Sequence, residues 1–378
     1  MPRAQFAWPE GRSPNSPARK AQPGVRVFGA TRMSDTALGV RRRRWPLFVP
    51  FAVVVVLAIV WSAVWYYAAQ IVERNIAAWM DQEARNGRVY TCASRSVGGY
   101  PFRIEVRCSD PSAEIKAAPL ALKAKEFVAV AQVYQPNLII GEIVGPLSIG
   151  APGQPITLVS DWTLAQASVR LNPMPERISI VIDSAKFEQT NAGTTQPIAS
   201  AGHIELHVRL TPASEQDKQA LEFAATLTGA TVPSAGPLAT QPFDAQFAAV
   251  LRGVGDFRPK SLPARLKEWQ AAGGRLEITN ARIKQGDAVA VATGDLGLSP
   301  SGRVDGTVGV TLAGFEQFVQ MLLAGKGKNT GLLAVAGLSF LGKPADLDGK
   351  RAILVPLRFA DGAIYFGPIL LAKTAPLY

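Results

Sequence analysis

The sequence predicts a mainly β protein: an antiparallel, curved sheet, shaped as a groove or a barrel-like body, with a few short helices and one N-terminal transmembrane helix. Strand-like runs at residues 127–134, 178–182, 204–210 and 304–312 are separated by Gly, Pro, Asn and Asp. Many short strands between frequent turns favour an antiparallel sheet. The uncharged run from Trp45 to Val72 departs from this pattern and predicts the membrane helix.

The predicted membrane helix has the length and the flanking residues of an anchor. As a helix, the apolar residues 47–69 would measure about 34 Å, against about 30 Å for a hydrocarbon core. A cleaved signal peptide is the alternative, but the apolar run is too long and Trp65, Tyr66 and Tyr67 provide no small-residue cleavage site. The run follows a block of basic residues that predicts a cytoplasmic N-terminus, namely Arg41, Arg42, Arg43 and Arg44.

These features divide the chain into four predicted segments. Residues 1–44 form a disordered basic cytoplasmic tail, 45–72 the transmembrane anchor, 73–88 a juxtamembrane helix and 89–378 a periplasmic β-rich domain. Met33 is a second candidate start, so translation of residues 1–32 is open. The predicted location is the inner membrane, with a single pass.

A weak internal repeat suggests that the β-rich domain has two related halves. Residues 184–189 followed by 201–206 are similar to residues 280–285 followed by 293–298. Chance similarity between alternating strands is the alternative.

The distribution of charge argues against a nucleic-acid partner. The net charge is +11, but residues 1–44 carry +8 of it and the remaining chain only +3. The basic excess therefore acts as a determinant of topology beside the inner membrane, which is the first predicted partner.

The two cysteines predict a structural disulfide. Cys92 and Cys108 both follow the anchor, on the side that is exported to an oxidising compartment. A hairpin centred near residue 100 would place them directly opposite each other on one face. A redox-active pair and two free thiols are the alternatives.

Two helices are predicted within the β-rich domain. Residues 263–272 follow Ser261 and Leu262, carry Trp269 on the apolar side and stop at Gly273 and Gly274. Residues 315–323 show apolar side chains at helical spacing and stop at Gly325.

Several stretches resemble an uncharacterised bacterial family, domain of unknown function 2125. They are residues 98–102 with the flanking Cys92 and Cys108, residues 269–274 and residues 294–306, and the resemblance covers roughly residues 45–378. This family implies no catalytic residues. Residues 294–306 and 361–369 are also loosely similar to AsmA-like envelope proteins, which implies an inner-membrane anchor and a β-sheet groove linked to lipid handling.

One group of residues could carry metal chemistry. His203, Glu205 and His207 share one face of a predicted strand, so they could converge on a metal. The other face, Ile204, Leu206 and Val208, is apolar, which favours a half-buried strand with a solvated polar face. A metal-dependent enzyme is therefore the second alternative function, and we expect neither an enzyme nor a cofactor.

The first functional hypothesis is a protein that binds or passes a lipid or another hydrophobic ligand in the cell envelope. The first alternative is a scaffold for envelope proteins, whose apolar face is filled by its own helices. The two differ in whether the predicted inner positions line a void or pack solidly. These candidate groove residues are Phe127, Val130, Ile139, Ile143, Ile180, Phe187, Val291, Leu298 and Phe366.

Overall fold

The computed structural model describes residues 45, 48–116, 119–172, 174–191, 194–211, 219–235, 240–255, 260–314, 342–360 and 362–378. The predicted basic tail with Arg41, Arg42, Arg43 and Arg44, and the predicted helix at residues 315–323, lie outside the described residues.

The helix α1, Val49–Arg85, is continuous and covers most of the predicted anchor and juxtamembrane segments. It is long and apolar enough to cross a membrane. It ends at Asn86 and Gly87, where Gly87 adopts a φ of 79° and its N–H bonds to the carbonyl of Ala84.

The remaining described elements are almost all strands, as predicted, and they join one antiparallel, curved and open sheet. The first ten strands are β1 Arg88–Thr91, β2 Ser94–Gly98, β3 Arg103–Ser109, β4 Ser112–Ile115, β5 Leu120–Lys123, β6 Glu126–Gln132, β7 Gln135–Val144, β8 Leu147–Gly150, β9 Ile156–Asp161 and β10 Leu164–Asn172. The others are β11 Met174–Asn191, β12 Thr194–Thr211, β13 Ala220–Ala230, β14 Phe243–Arg252, β15 Arg275–Gln285, β16 Ala288–Leu298, β17 Val304–Ala313, β18 Lys343–Leu347, β19 Lys350–Ala360, β20 Ala363–Phe366 and β21 Ile369–Lys373.

The sheet forks at β11. The first half of β11 pairs with β10, which begins a first branch in the order β10, β7, β6, β3, β2. The second half of β11 pairs with β9, which begins a second branch in the order β9, β8, β5, β4, β1. From β11 to β17 every strand pairs with its neighbours in sequence, and β17 then pairs with β19.

The two branches are built from the same chain segments, which turn sharply as they pass from one branch to the other. The turns lie between β1 and β2, β3 and β4, β5 and β6, β7 and β8, and β9 and β10. They are tied together by backbone hydrogen bonds, for example from Asp110 N to Lys125 O and from Lys125 N to Val144 O. The turns therefore form one corner line across the sheet, and the branches can face each other.

The disulfide between Cys92 and Cys108 lies on this corner line. Its Cα atoms are 5.5 Å apart. The predicted bond is present, but the predicted register is wrong: Arg95, not Cys92, lies opposite Cys108 in the hairpin. Cys92 precedes β2, so the bond ties the turn between β1 and β2 to the end of β3.

The strand registers define two faces of the sheet, because directly opposed residues in a ladder lie on the same face. The inner face contains a row of apolar residues that crosses thirteen strands from β2 to β19. We call it the central row, and it consists of Val97, Val106, Ala129, Gly141, Ala167, Ile180, Leu206, Ala225, Phe247, Ala281, Ala292, Val310 and Val355. At about 4.8 Å per strand, this row is roughly 58 Å long.

The inner face is covered only in part. The buried apolar residues are mostly alanines, and among the described residues no large side chain is less than 2% exposed. Phe247 and Ile283, both on the inner face, are 38% and 49% exposed. Over the residues that the structure describes, the sheet thus leaves an apolar groove instead of closing over a solid core.

The second helix, α2 Leu262–Ala271, confirms the predicted helix at residues 263–272. Ser261 is its N-cap residue, and Pro263 lies in its first turn. A side chain at Gly274 would collide with the indole of Trp269, which explains the glycine after the helix. Trp269 Nε1 donates a hydrogen bond to the carbonyl of Arg252 at 2.7 Å, which fixes α2 to β14.

Both copies of the predicted repeat form antiparallel hairpins, β11 with β12 and β15 with β16. The registers of the two hairpins differ by one residue relative to the repeat. Ala185 opposes Ala201 in the first, whereas the equivalent Ala281 opposes Ala292 in the second. The descent of two halves from one unit stays a prediction.

Replacing Cys92 and Cys108 by Ser should lower the free energy of unfolding by about 3 kcal/mol, because the bond closes a short loop in the unfolded chain. Chemical denaturation of the oxidised and reduced wild type and of the double variant measures this. Reduction should bring the wild type to the midpoint of the variant. Equal midpoints for all three samples would contradict a stabilising bond.

Candidate ligand-binding groove

An apolar cavity of about 470 Å³ lies between the two branches of the sheet and the second half of α1. Ile76, Trp79 and Met80 line it from the helix. Val106, Phe127 and Ile143 of the first branch and Tyr90, Leu122 and Leu147 of the second branch complete most of its wall. Its size is within the range of small-molecule sites.

The cavity exists because the central row carries small residues at this point. Ala129 lies opposite Gly141, which lies opposite Ala167, between rows that contain Phe127 and Ile139. A side chain at Gly141 would approach the Phe127 ring to 3.3 Å, so larger residues here would fill the space.

A second apolar cavity, of about 610 Å³, lies under α2. Leu221, Leu251 and Leu276 line it from the inner face, and Leu266 and Trp269 line it from the helix. Each helix therefore stands over the inner face without filling the space beneath it.

Seven of the nine candidate groove residues belong to the inner face. Phe127 and Ile143 line the first cavity, Ile180 is in the central row, and Ile139 lies in the next row. Phe187 opposes Ser160, which opposes the cavity residue Leu147. Leu298 on β16 and Phe366 on β20 also lie on the inner face, as the ladders of these strands show.

The other two candidates are on the outer face, and their prediction as groove residues is wrong. Val130 pairs with Ile140, one residue out of phase with Ala129. Val291 packs against a small outer cluster of Val289, Ala313 and Ala352. Both valines belong to apolar runs without clear alternation, so the sequence did not indicate their face.

The second branch contributes wall residues that the sequence reasoning missed, chiefly Tyr90, Leu122 and Leu147. Their strands β1, β5 and β8 are four residues long, too short for a clear period of two. The helix residues Ile76, Trp79 and Met80 did carry a signal, because their spacing gives this part of α1 one apolar side.

The turn between β2 and β3, residues 99–102, is fixed to the apolar part of α1. Trp61 Nε1 donates to the carbonyl of Pro101 and Trp65 Nε1 to that of Arg103, both at 2.9 Å. The Tyr100 hydroxyl bonds with Ser62 at 2.7 Å, and its ring meets Trp65 edge to face. Phe102 remains 65% exposed at the tip of this turn.

The predicted polar triplet does share one face, the outer one, but three of its four ring nitrogen atoms bond within the protein. His203 Nδ1 lies 2.6 Å from Asp183, His207 Nε2 lies 2.7 Å from Glu205, and His207 Nδ1 lies 2.8 Å from Ser179. Within the described ranges, no group of three His, Cys, Asp or Glu side chains could hold a metal ion. This geometry favours a solvated strand face.

Ionisation in this strip follows the hydrogen bonds. The bond to Asp183 raises the pKa of His203, and the bond from His207 lowers the pKa of Glu205. Both changes are expected of groups that gain oppositely charged partners on an exposed strand.

The described structure is thus an open antiparallel β-groove that carries a helix of membrane-spanning length. The chain belongs to the family described as "Uncharacterized protein conserved in bacteria (DUF2125)", whose model matches residues 65–375. The match includes Trp65, the wall residues of α1 and the whole described sheet. It begins later than the expected residue 45 and omits most of the apolar stretch. The comparison with curated proteins finds no match.

Replacing Asp183 by Asn should destabilise the protein in a pH-dependent way. Because the folded pKa of His203 is raised, its pairing with Asp183 contributes fully below the ordinary histidine pKa and is lost as pH rises through the raised value. The difference in Tm between wild type and variant should therefore shrink between pH 5.5 and 9.

Asp81→Asn, at an exposed aspartate on α1, is the matched control for that series. Its difference in Tm from the wild type should not follow the titration of a histidine. A constant Tm difference for Asp183→Asn would exclude the pairing.

Proposed function

We propose that this protein is held in the bacterial inner membrane by α1 and binds or passes a lipid or similar hydrophobic ligand in its periplasmic β-groove. The observation that carries the proposal is the central row, which stays apolar across thirteen strands while its large side chains, except the buried Val355, remain partly exposed. Exposed apolar surface of this extent is typical of a binding site. The resemblance of residues 294–306 and 361–369 to AsmA-like envelope proteins remains an expectation from the sequence, and the proposal does not rest on it.

The ligand enters, in this proposal, from the membrane. The tip at residues 99–102 contacts Trp61 and Trp65, whereas the first charged residue after them is Glu73. At 1.5 Å per residue, the tip lies roughly 12–18 Å from Glu73 along the helix, toward the N-terminal end of α1. In the proposed topology, this is the level of the periplasmic interface of the inner membrane. Inner-face rows then lead from the tip to the cavity, beginning with Ile104, Ala131 and Ile139.

The role is that of a binder and not of an enzyme, and it requires no cofactor. The groove lining is supplied mainly by aliphatic and aromatic side chains, and the polar strip with the two histidines lies on the other face. Scaffolding of envelope proteins stays the alternative if the groove proves empty of ligand.

Replacing Ala129 by Phe should reduce lipid binding by about tenfold or more, because the new ring occupies the cavity between Phe127 and Gly141. Val130→Phe is the matched control, since it adds a ring one residue away on the outer face. The proteins are compared at full length in nanodiscs that contain a photoactivatable phospholipid. Labelling of the shared anchor should be equal in both variants, so a difference in labelling between them reports lipid in the groove. Equal labelling of both variants and the wild type at groove peptides would contradict the proposal.

A photo-crosslinking amino acid at position 102 of the full-length protein in vesicles should form adducts with phospholipid acyl chains. The reason is the contact of this turn with the apolar part of α1. Position 154, in the exposed turn between β8 and β9, is the control and should give no adduct above background. Equal yields at both positions would show that the tip does not reach the bilayer.

A further inference from the structure

One charged side chain that is half-buried, Arg95, lies in the wall of the apolar cavity beside α1. Arg95 is on the inner face, directly opposite Cys108 and in the same row as Phe127 and Ile143. On β2, β3, β6 and β7, all other residues of this row and of the central row are uncharged. A guanidinium therefore projects into an otherwise largely apolar wall.

The guanidinium of Arg95 lacks a carboxylate partner among the described residues. Its Nη1 contacts only the sulfur of Met80, at 3.1 Å, which is a weak acceptor. Its Nε is buried and has no hydrogen-bond partner in the part of the chain that the structure describes. By contrast, Arg107 on the outer face of β3 pairs with both Glu105 and Glu126.

Arg95 is half-buried, and a partly desolvated charge with a buried, unpartnered Nε is unfavourable, so its presence in the cavity points to an anion that comes from outside the chain. Besides the polar tips of Trp79 and Tyr90, the remaining polar side chains of the wall are Thr91 and Ser112, which bond to each other at 2.6 Å, and the exposed Lys123. None of them carries a negative charge. The cavity thus combines apolar walls with cationic and neutral hydrogen-bond donors.

We propose that the ligand of this cavity is an anionic amphiphile, whose carboxylate or phosphate pairs with Arg95 and whose acyl chain lies along the inner face. The inference rests on the proposed lipid-binding function and specifies its chemical class. Arg95 can bind such a head group through two parallel N–H donors, while the chain extends along Val106, Ala129 and Ala167.

The test compares a charged and an uncharged ligand with the same chain, hexadecanoate and hexadecanol, on the full-length protein in amphipol. Arg95→Met keeps the length and the apolar stem but removes the charge. Its affinity for hexadecanoate should fall about tenfold or more, and its affinity for hexadecanol should be unchanged. Arg95→Lys should retain part of the preference, because it keeps the charge.

Arg170→Met is the matched control, since it removes an exposed arginine on the outer face and should bind both ligands as the wild type does. A lysophospholipid with the same chain distinguishes a phosphate head group from a carboxylate.

Three results would overturn the inference. The first is equal affinity of the wild type for hexadecanoate and hexadecanol. The second is an equal fall in the affinity of Arg95→Met for both ligands. The third is an unchanged preference of that variant for hexadecanoate over hexadecanol. If the wild type binds no amphiphile in this or the phospholipid assay, the proposed function itself fails. Thermal unfolding shows that the variant is folded, and without ligand it should be at least as stable as the wild type.

Discussion

The groove depends on the pairing of β11 with two different neighbours. Its first half completes the ladder to β10, and its second half completes the ladder to β9, so the sheet cannot continue as a single layer. Ser184, between the halves, adopts a φ of 54°, and Gly229 on β13 also has a positive φ. The corner line, the cavity between the branches and the position of the disulfide all follow from this division.

The sequence predicted those features whose signal lies within a single element. The alternation at residues 203–210 placed the histidines on a polar face and Ile204, Leu206 and Val208 on the apolar one. Pro263, Trp269 and the two glycines after the helix were enough to predict α2 and its bounds to within one residue. The division of β11 between two ladders involves strands that are distant in sequence, and no local pattern indicates it.

The two wrong placements of groove candidates, Val130 and Val291, share one physical origin. In the run of residues 127–131, valines and alanines alternate without a change in polarity, and the inner face takes Ala129 while the outer face takes Val130. Val289 and Val291 point outward for a similar reason, because they help form an apolar cluster on that side. The hydrophobicity of such runs predicts a strand, whereas only the register determines its face. The hairpin register of Cys108 was missed because the turn at residues 99–102 is shaped by its contacts with α1.

The pairing of neighbouring strands from β12 to β17 has a consequence for how this architecture can change in length. Each strand from β12 to β16 forms ladders only with the strands before and after it in the chain. Adding or removing one hairpin would lengthen or shorten the sheet by roughly 10 Å and leave both ends unchanged. A closed barrel lacks this freedom, since its circumference is tied to its strand number and shear. The open sheet is therefore extensible, and related chains could differ in reach while they keep the same branched end beside α1.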